Sequence, residues 1–215
     1  MGDKMKYDLH IHSKYSYDGF LEPKDIVKIA IKRGLNGIAV TDHNTVKGAL
    51  EAKKYETDDL KVIVGSEIKT ERGEIIGLFL EEEVISRGFP EVIDRIKEQN
   101  GVVVIPHPFD KLRKSTFTPT REYVKFIDCI EGFNSRCVFQ KYNMEAINFA
   151  MKYGLKIVAG SDAHFRNEIG NAGIETDEED IRKAILNGKV KIFGKRSSII
   201  NHVMTKAVKW WRKWR

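Results

Sequence analysis

The 215-residue chain has only two cysteines, Cys129 and Cys137. Two are too few for a disulfide framework, so a packed core must hold the fold, and a reducing, cytoplasmic setting is the expectation. No apolar run is long enough to span a bilayer, which argues against a helical membrane protein. No signal-peptide pattern is expected either, because the N-terminal residues lead straight into a polar strand. Glutamine is scarce beside abundant lysine and glutamate, a bias found in thermophiles. No repeat is visible. Acidic residues are missing from one stretch. Lys195, Arg196, Lys206, Lys209, Arg212, Lys213 and Arg215 stand there without a single Asp or Glu. These seven charges exceed the net charge of +6, so the body, residues 1–194, is close to neutral. Attraction for nucleic acid or an anionic surface belongs to the tail, residues 195–215, or to local patches.

The body alternates short apolar strands with amphipathic helices. Strands are expected over Tyr7–His12, Gly37–Val40, Leu60–Val64 and on to Glu67, Ile75–Leu80, Val102–Ile105, Asp128–Phe133, Leu155–Ala159, Asn171–Glu175 and Val190–Phe193. Helices are expected from Pro23 to near Gly34, from a Thr45 cap to Tyr55, and over Pro90–Glu98, Arg121–Phe126, Tyr142–Tyr153 and Glu178–Leu186. Such alternation describes about seven βαβ units and a parallel sheet. The polar residues decide between an open sheet and a barrel. His10 and His12, His43, Glu67, His107, Glu131 with Asn134, and Asp162 with His164 all follow or end strands. An open sheet would spread them along a line. A barrel gathers the C-terminal ends of its strands at one mouth.

In a strand, residues i and i+2 share a face, so His10 and His12 point the same way. Asp162 and His164 repeat that spacing, and Glu67 supplies a carboxylate able to bridge two ions. So many imidazole and carboxylate donors suit two or three divalent ions, with Zn, Mn or Fe as candidates. Arg113, Lys114, Arg136 and Arg166 follow strand-end motifs and are candidates to bind substrate phosphate. Asp42 is expected to orient a ligand histidine, Cys129 to pack in its strand, and Tyr15 and Tyr17 to line the mouth or cover core. His202 lies away from every strand end.

The motifs His10-Ile11-His12, Thr41-Asp42-His43-Asn44, Glu67, Pro106-His107-Pro108 and Gly160-Ser161-Asp162-Ala163-His164 appear in the order found in the PHP (polymerase and histidinol phosphatase) family. The chain resembles that family to about Phe193. The resemblance implies an α/β fold: a distorted seven-stranded (β/α)7, TIM-like barrel with two or three metals at the strand ends. It implies that His10, His12, Glu67 and Asp162 hold a first metal, Glu67 and His107 a second, and Asp18, His43 and His164 a third. For a further ligand to the second metal the family's position falls near Glu131, where Asn134, Glu131 and Cys137 are candidates in that order. Glu67, Asp162 and His164 are expected to carry catalysis. The implied activity is hydrolysis of phosphate esters, of nucleotides or nucleic-acid ends, by a metal-activated water. The alternatives are another phosphomonoester such as histidinol phosphate, or a non-catalytic nucleic-acid-binding barrel.

The tail reads as an amphipathic basic helix. Ile200, Val203, Ala207, Trp210 or Trp211, and Trp214 form its apolar stripe, with Lys206, Lys209 and Lys213 largely off it. It is expected to pack on the barrel, to contact nucleic acid or an anionic membrane surface, or to pair two copies of the chain.

Overall fold

The computed structural model describes residues 4–214, except for the Lys213 side chain; Met1 to Asp3 and Arg215, the outer limits of the two expected segments, lie outside the described residues. Nine strands form one sheet: β1 (Met5–Ile11), β2 (Gly37–Val40), β3 (Lys61–Thr70), β4 (Gly73–Leu78), β5 (Val102–Ile105), β6 (Cys129–Asn134), β7 (Lys156–Gly160), β8 (Ala172–Thr176) and β9 (Lys191–Gly194). Their spatial order is β7-β6-β5-β4-β3-β2-β1-β8-β9. The sheet curls until β1 meets the segment after β7. There His12 N–H donates to Ala163 O at 2.8 Å and Ala163 N–H donates to His10 O at 3.2 Å. The result is a nearly closed α/β barrel.

The expected seven-stranded parallel barrel needs correction. Strand β4 runs antiparallel to both β3 and β5, and β8 and β9 extend the sheet antiparallel beyond β1. Only Glu71 and Arg72 separate β3 from β4, too few for the crossover a parallel pair requires. A hairpin is the only connection of that length.

The helices α1 (Pro23–Lys32), α2 (Lys47–Lys53), α3 (Phe89–Glu98), α4 (Gln140–Tyr153) and α5 (Ile181–Asn187) follow the apolar periodicity. Pro23 and Pro90 stand in the first turns of α1 and α3, where a missing N–H costs nothing. Thr45 falls two residues short of α2, and its Oγ1 accepts the Lys47 N–H at 3.2 Å. Residues Arg121–Phe126 form a 3-10 helix. On α3, Val92, Ile93 and Ile96 are buried in the main core cluster, and each such aliphatic contributes about 1.5–3 kcal/mol. The last helix, α6 (Ile199–Lys213), starts at a Ser198 cap.

The orientation of α6 differs from the simple expectation. Its apolar stripe faces solvent: Val203 is 64% exposed, Trp210 65% and Trp214 75%. Its polar side faces the barrel. Asn201, Thr205, Lys209 and Arg212 recur at i, i+4, i+8 and i+11 and share one face, and Asn201 and Thr205 are buried.

Candidate metal centre

The strand ends converge as a barrel requires. His10 and His12 have Nε2 atoms 3.1 Å apart. His12 Nε2 lies 3.3 Å from Glu67 Oε2 and 3.4 Å from Asp162 Oδ1. His107 Nε2 lies 2.8 Å from Glu67 Oε1. His43 Nδ1 is 3.2 Å and His10 Nε2 3.6 Å from Glu67 Oε2, so this one carboxylate meets four of the histidines. Asp18, from the loop after β1, lies between His43 and His164, whose Nε2 atoms are 3.4 and 3.2 Å from its Oδ2. Apart from His43, these side chains are all but fully buried.

Supporting contacts fix the rings. His10 Nδ1–H donates to Glu131 Oε1 at 2.9 Å, which leaves Nε2 turned toward the cluster. His12 Nδ1 lies 2.9 Å from Ser16 Oγ, and that hydroxyl also accepts the His43 N–H at 3.0 Å. Asp8, on the strand with the paired histidines, takes Ser161 N–H, Ser161 O–H and Gly170 N–H, tying β1 to the segment after β7. Burial raises the Asp8 carboxyl to about 6 despite these donors. Among the described residues the Asp42 carboxylate makes no hydrogen bond to a histidine, although the charge of nearby His12 acts on it; it accepts the N–H and O–H of Ser13, each at 2.6 Å, and so pins the Asp18 loop. Gly160 lets β7 approach β1 closely, since a Cβ there would come within 2.3 Å of His10 Cβ. Asp162 and His107 sit at φ 55° and 31°, in the left-handed region that side chains avoid. Such strain collects at functional sites.

The electrostatics follow from packing opposite charges without water. Burial works against ionised Glu67 and Asp162. Nevertheless His43 and His10 hold Glu67 well below the usual carboxylate range, and Arg113 and His10 do the same for Asp162. Burial also opposes charge on His12, but Asp162 and Glu67 lift it to about 10. Burial and then Arg136 push His164 down to about 3.

Three buried atoms here have no hydrogen-bond partner among the described residues: Asp18 Oδ1, Asp162 Oδ1 and His107 Nδ1. Leaving such atoms unsatisfied costs about 1–3 kcal/mol each. Donor groups lying within 4.8 Å of one another comprise His12, Asp18, His43 and His164; His10, His12 and Glu67; His10, His107 and Asp162; and His43, Glu67 and Glu74. Mixed imidazole and carboxylate donors with unsatisfied oxygens fit divalent ions.

The chain matches the model of the PHP domain over residues 8–201. It belongs to the PHP family. An uncharacterized protein of Methanocaldococcus jannaschii is 39% identical over 186 residues, which cover 83% of this chain and 73% of that protein. A 5'-3' exoribonuclease of Haemophilus influenzae is 42% identical over 66 residues, 30% of this chain and 24% of the exoribonuclease. Among solved structures, a two-domain protein of Bacteroides vulgatus containing a predicted PHP-like metal-dependent phosphoesterase superposes with a TM-score of 0.75 at 21% identity. The alignment covers 90% of this PHP chain, which spans 65% of that two-domain chain.

Within this PHP barrel, His10, His12, Asp18, His43, Glu67, His107, Asp162 and His164 come together. Asn134 joins them as a donor: its Nδ2 reaches Glu131 at 2.9 Å and Asp162 at 3.3 Å, while its oxygen accepts the Arg136 N–H at 2.8 Å. Cys137 faces Asp110 at 3.7 Å, and burial pushes its thiol up, away from the thiolate a metal needs. Arg113 enters the cluster, with Nη2 2.6 Å from Asp162 Oδ2. Arg136 is buried under α6, and Arg166 pairs with Asp25 at the surface. No described helix is long and apolar enough to cross a membrane.

Three groups at the site escape sequence reading. Glu74 sits 3.7 Å from His43 Nδ1 and 3.8 Å from His107 Nε2. Its carboxyl is raised by burial and then by Glu67. The hairpin is the signal that could have found it: Glu67 pairs with Ile76, which puts Glu74 diagonally across on the same face. His202, expected to be incidental, lies within electrostatic reach of Arg136, Arg113 and Asp162. Lys209 Nζ contacts Asp18 Oδ2 at 3.0 Å.

Proposed function

We propose that this protein is a metal-dependent phosphoesterase that removes phosphate from nucleotides or nucleic-acid ends, using two or three divalent ions, Zn, Mn or Fe. The observation that carries this reading is the set of unsatisfied buried atoms, Asp18 Oδ1, Asp162 Oδ1 and His107 Nδ1, inside a cluster of imidazoles and carboxylates. The short match to an exoribonuclease supports the nucleic-acid side of it.

His10, His12, Glu67 and Asp162 would hold one ion. Glu67 and His107 would hold a second, and Asp18, His43 and His164 a third. Asn134 steadies the carboxylates of Glu131 and Asp162, and Glu74 offers a further carboxylate beside Glu67. Bound ions of this kind supply a hydroxide nucleophile near neutral pH and offset the charge that develops on phosphorus. Glu131 keeps His10 in the tautomer that presents Nε2. Arg113, paired with Asp162, brings a fixed positive charge to the floor of the mouth, where substrate phosphate would displace its contact with the carboxylate. The reaction would take place in the cytoplasm, where the two free cysteines would stay reduced.

Metal analysis of the purified protein, with a screen of p-nitrophenyl phosphate, nucleotides and short 5'-phosphorylated RNA and DNA in added Mn or Zn, tests this. Two or more ions per chain with turnover of one substrate class is the expected result. A protein that stays metal-free and hydrolyses nothing, yet binds nucleic acid, would overturn it in favour of a binding module.

A further inference from the structure

Helix α6 is held at both ends by contacts that involve no candidate metal ligand side chain. At its start, Arg136 Nη2 donates to Asn201 O at 3.1 Å and to Thr205 Oγ1 at 2.8 Å. At its end, Arg212 donates to the carbonyls of Lys14 and Ser16, and its guanidinium lies 6.0 Å from the Phe20 ring centroid. Between these anchors, on the same helical face, is Lys209. Its Nζ is 3.0 Å from Asp18 Oδ2, the oxygen that His43 and His164 share. It also lies 4.9 Å from the Tyr17 ring centroid, and Tyr17 in turn stacks on His43 at 4.6 Å. A column of Lys209, Tyr17 and His43 therefore stands at the rim of the cluster. Lys209 is 43% exposed at its side chain, so one side of it reaches solvent rather than the core.

We propose that Lys209 is a substrate-binding residue for the phosphate group, resting on Asp18 until a phosphate enters the mouth. This rests on the phosphoesterase reading above. A divalent ion on Asp18 would repel the ammonium at so short a range. The two anchors keep α6 seated, so the flexible four-carbon stem of Lys209 carries the charge a few ångströms outward. An anionic phosphate entering the mouth draws it back. Because a second negative charge strengthens that attraction, Lys209 favours dianionic monoesters over monoanionic diesters.

The test compares wild type with K209Q and K209R. Calorimetry with inorganic phosphate on the metal-loaded proteins should show K209Q binding about tenfold more weakly or worse, with K209R close to wild type. In turnover, K209Q should raise KM more than it lowers kcat, and more for p-nitrophenyl phosphate than for bis(p-nitrophenyl) phosphate. In a titration with metal alone, K209Q should bind its last ion more tightly than wild type, since Asp18 no longer carries a competing cation. Equal phosphate affinity in metal-loaded wild type and K209Q would overturn the assignment. Phosphate binding that depends on Lys209 in a protein that hydrolyses no ester would uphold the assignment and overturn the enzyme reading. A wild type that takes up no metal would overturn both. Circular dichroism confirms that the variants are folded.

Discussion

The floor and the rim of this site are built in different ways. The floor consists of His10, His12, Glu67, His107 and Asp162, all buried; Glu67 lies within β3 and the others at or just past the ends of barrel strands. Each is placed by its own short segment, and the barrel then brings the segments together. The rim consists of Asp18, Tyr17, Lys209 and Arg212, contributed by one loop and by a helix near the opposite end of the chain. Floor residues are held by rigid neighbours on every side; rim residues are held by a few polar contacts, and Tyr17, Lys209 and Arg212, unlike buried Asp18, are partly in water. The chemistry of a site tolerates little play, whereas its recognition of substrate can be changed by altering one helix.

Breaking the floor should have the largest effects. On the proposed reading, Glu67→Ala and Asp162→Ala should each lower phosphoester hydrolysis by about a thousandfold or more, because each removes a carboxylate that would hold an ion worth several kcal/mol to the transition state. Metal analysis of the same variants should show fewer ions per chain, and full metal content with full activity would refute their role. Replacing a support rather than a ligand should cost less. Glu131→Gln should reduce metal affinity about 10- to 100-fold, measured by competition with a chelating dye. Gly160→Ala tests the packing of the floor. Its Cβ would collide with His10, and chemical denaturation should show a loss of about 1–3 kcal/mol.

Changes at the rim should be milder and should fall on substrate binding. Arg212→Ala removes the outer anchor of α6; KM for a phosphomonoester should rise several-fold while kcat changes little. A matching fall in kcat would mean that the helix supports the floor as well. The smallest effect concerns His202, which burial and then Arg136 and Arg113 hold down at about 4. A histidine released from this setting titrates near about 6.5. Between those values the detached helix binds a proton that the seated helix does not. Seating of α6 is therefore favoured above about pH 6.5 and weakens as the pH falls toward about 4. An NMR titration of the His202 ring checks this, and an ordinary midpoint near 6.5 in the intact protein would contradict it.

The same contrast explains what could be read from the chain. Strands such as Gly37–Val40 and Val102–Ile105 emerge at their observed bounds because continuous apolar runs between helix signals leave few alternatives. The i, i+2 pair His10 and His12 is legible for the same local reason. Glu74 is not, because its place beside Glu67 depends on a hairpin turn in a chain whose other units suggest crossovers. The α6 contacts are invisible for a different reason. Lys209 and Asp18 are distant in sequence, and no periodicity encodes their meeting. Periodicity is even misleading here. An apolar stripe normally marks the buried face of a helix, but on α6 the polar face meets the barrel because buried Arg136 and the Lys14 and Ser16 carbonyls need partners there.

All three tryptophans of the chain, Trp210, Trp211 and Trp214, lie within or immediately after that one helix. Intrinsic tryptophan emission from this protein is thus a signal from the rim alone. It should respond when α6 lifts or settles and stay nearly silent to changes confined to the barrel. A melt followed by emission and one followed by ellipticity would then report two separate events, and their difference measures how independently the helix lets go.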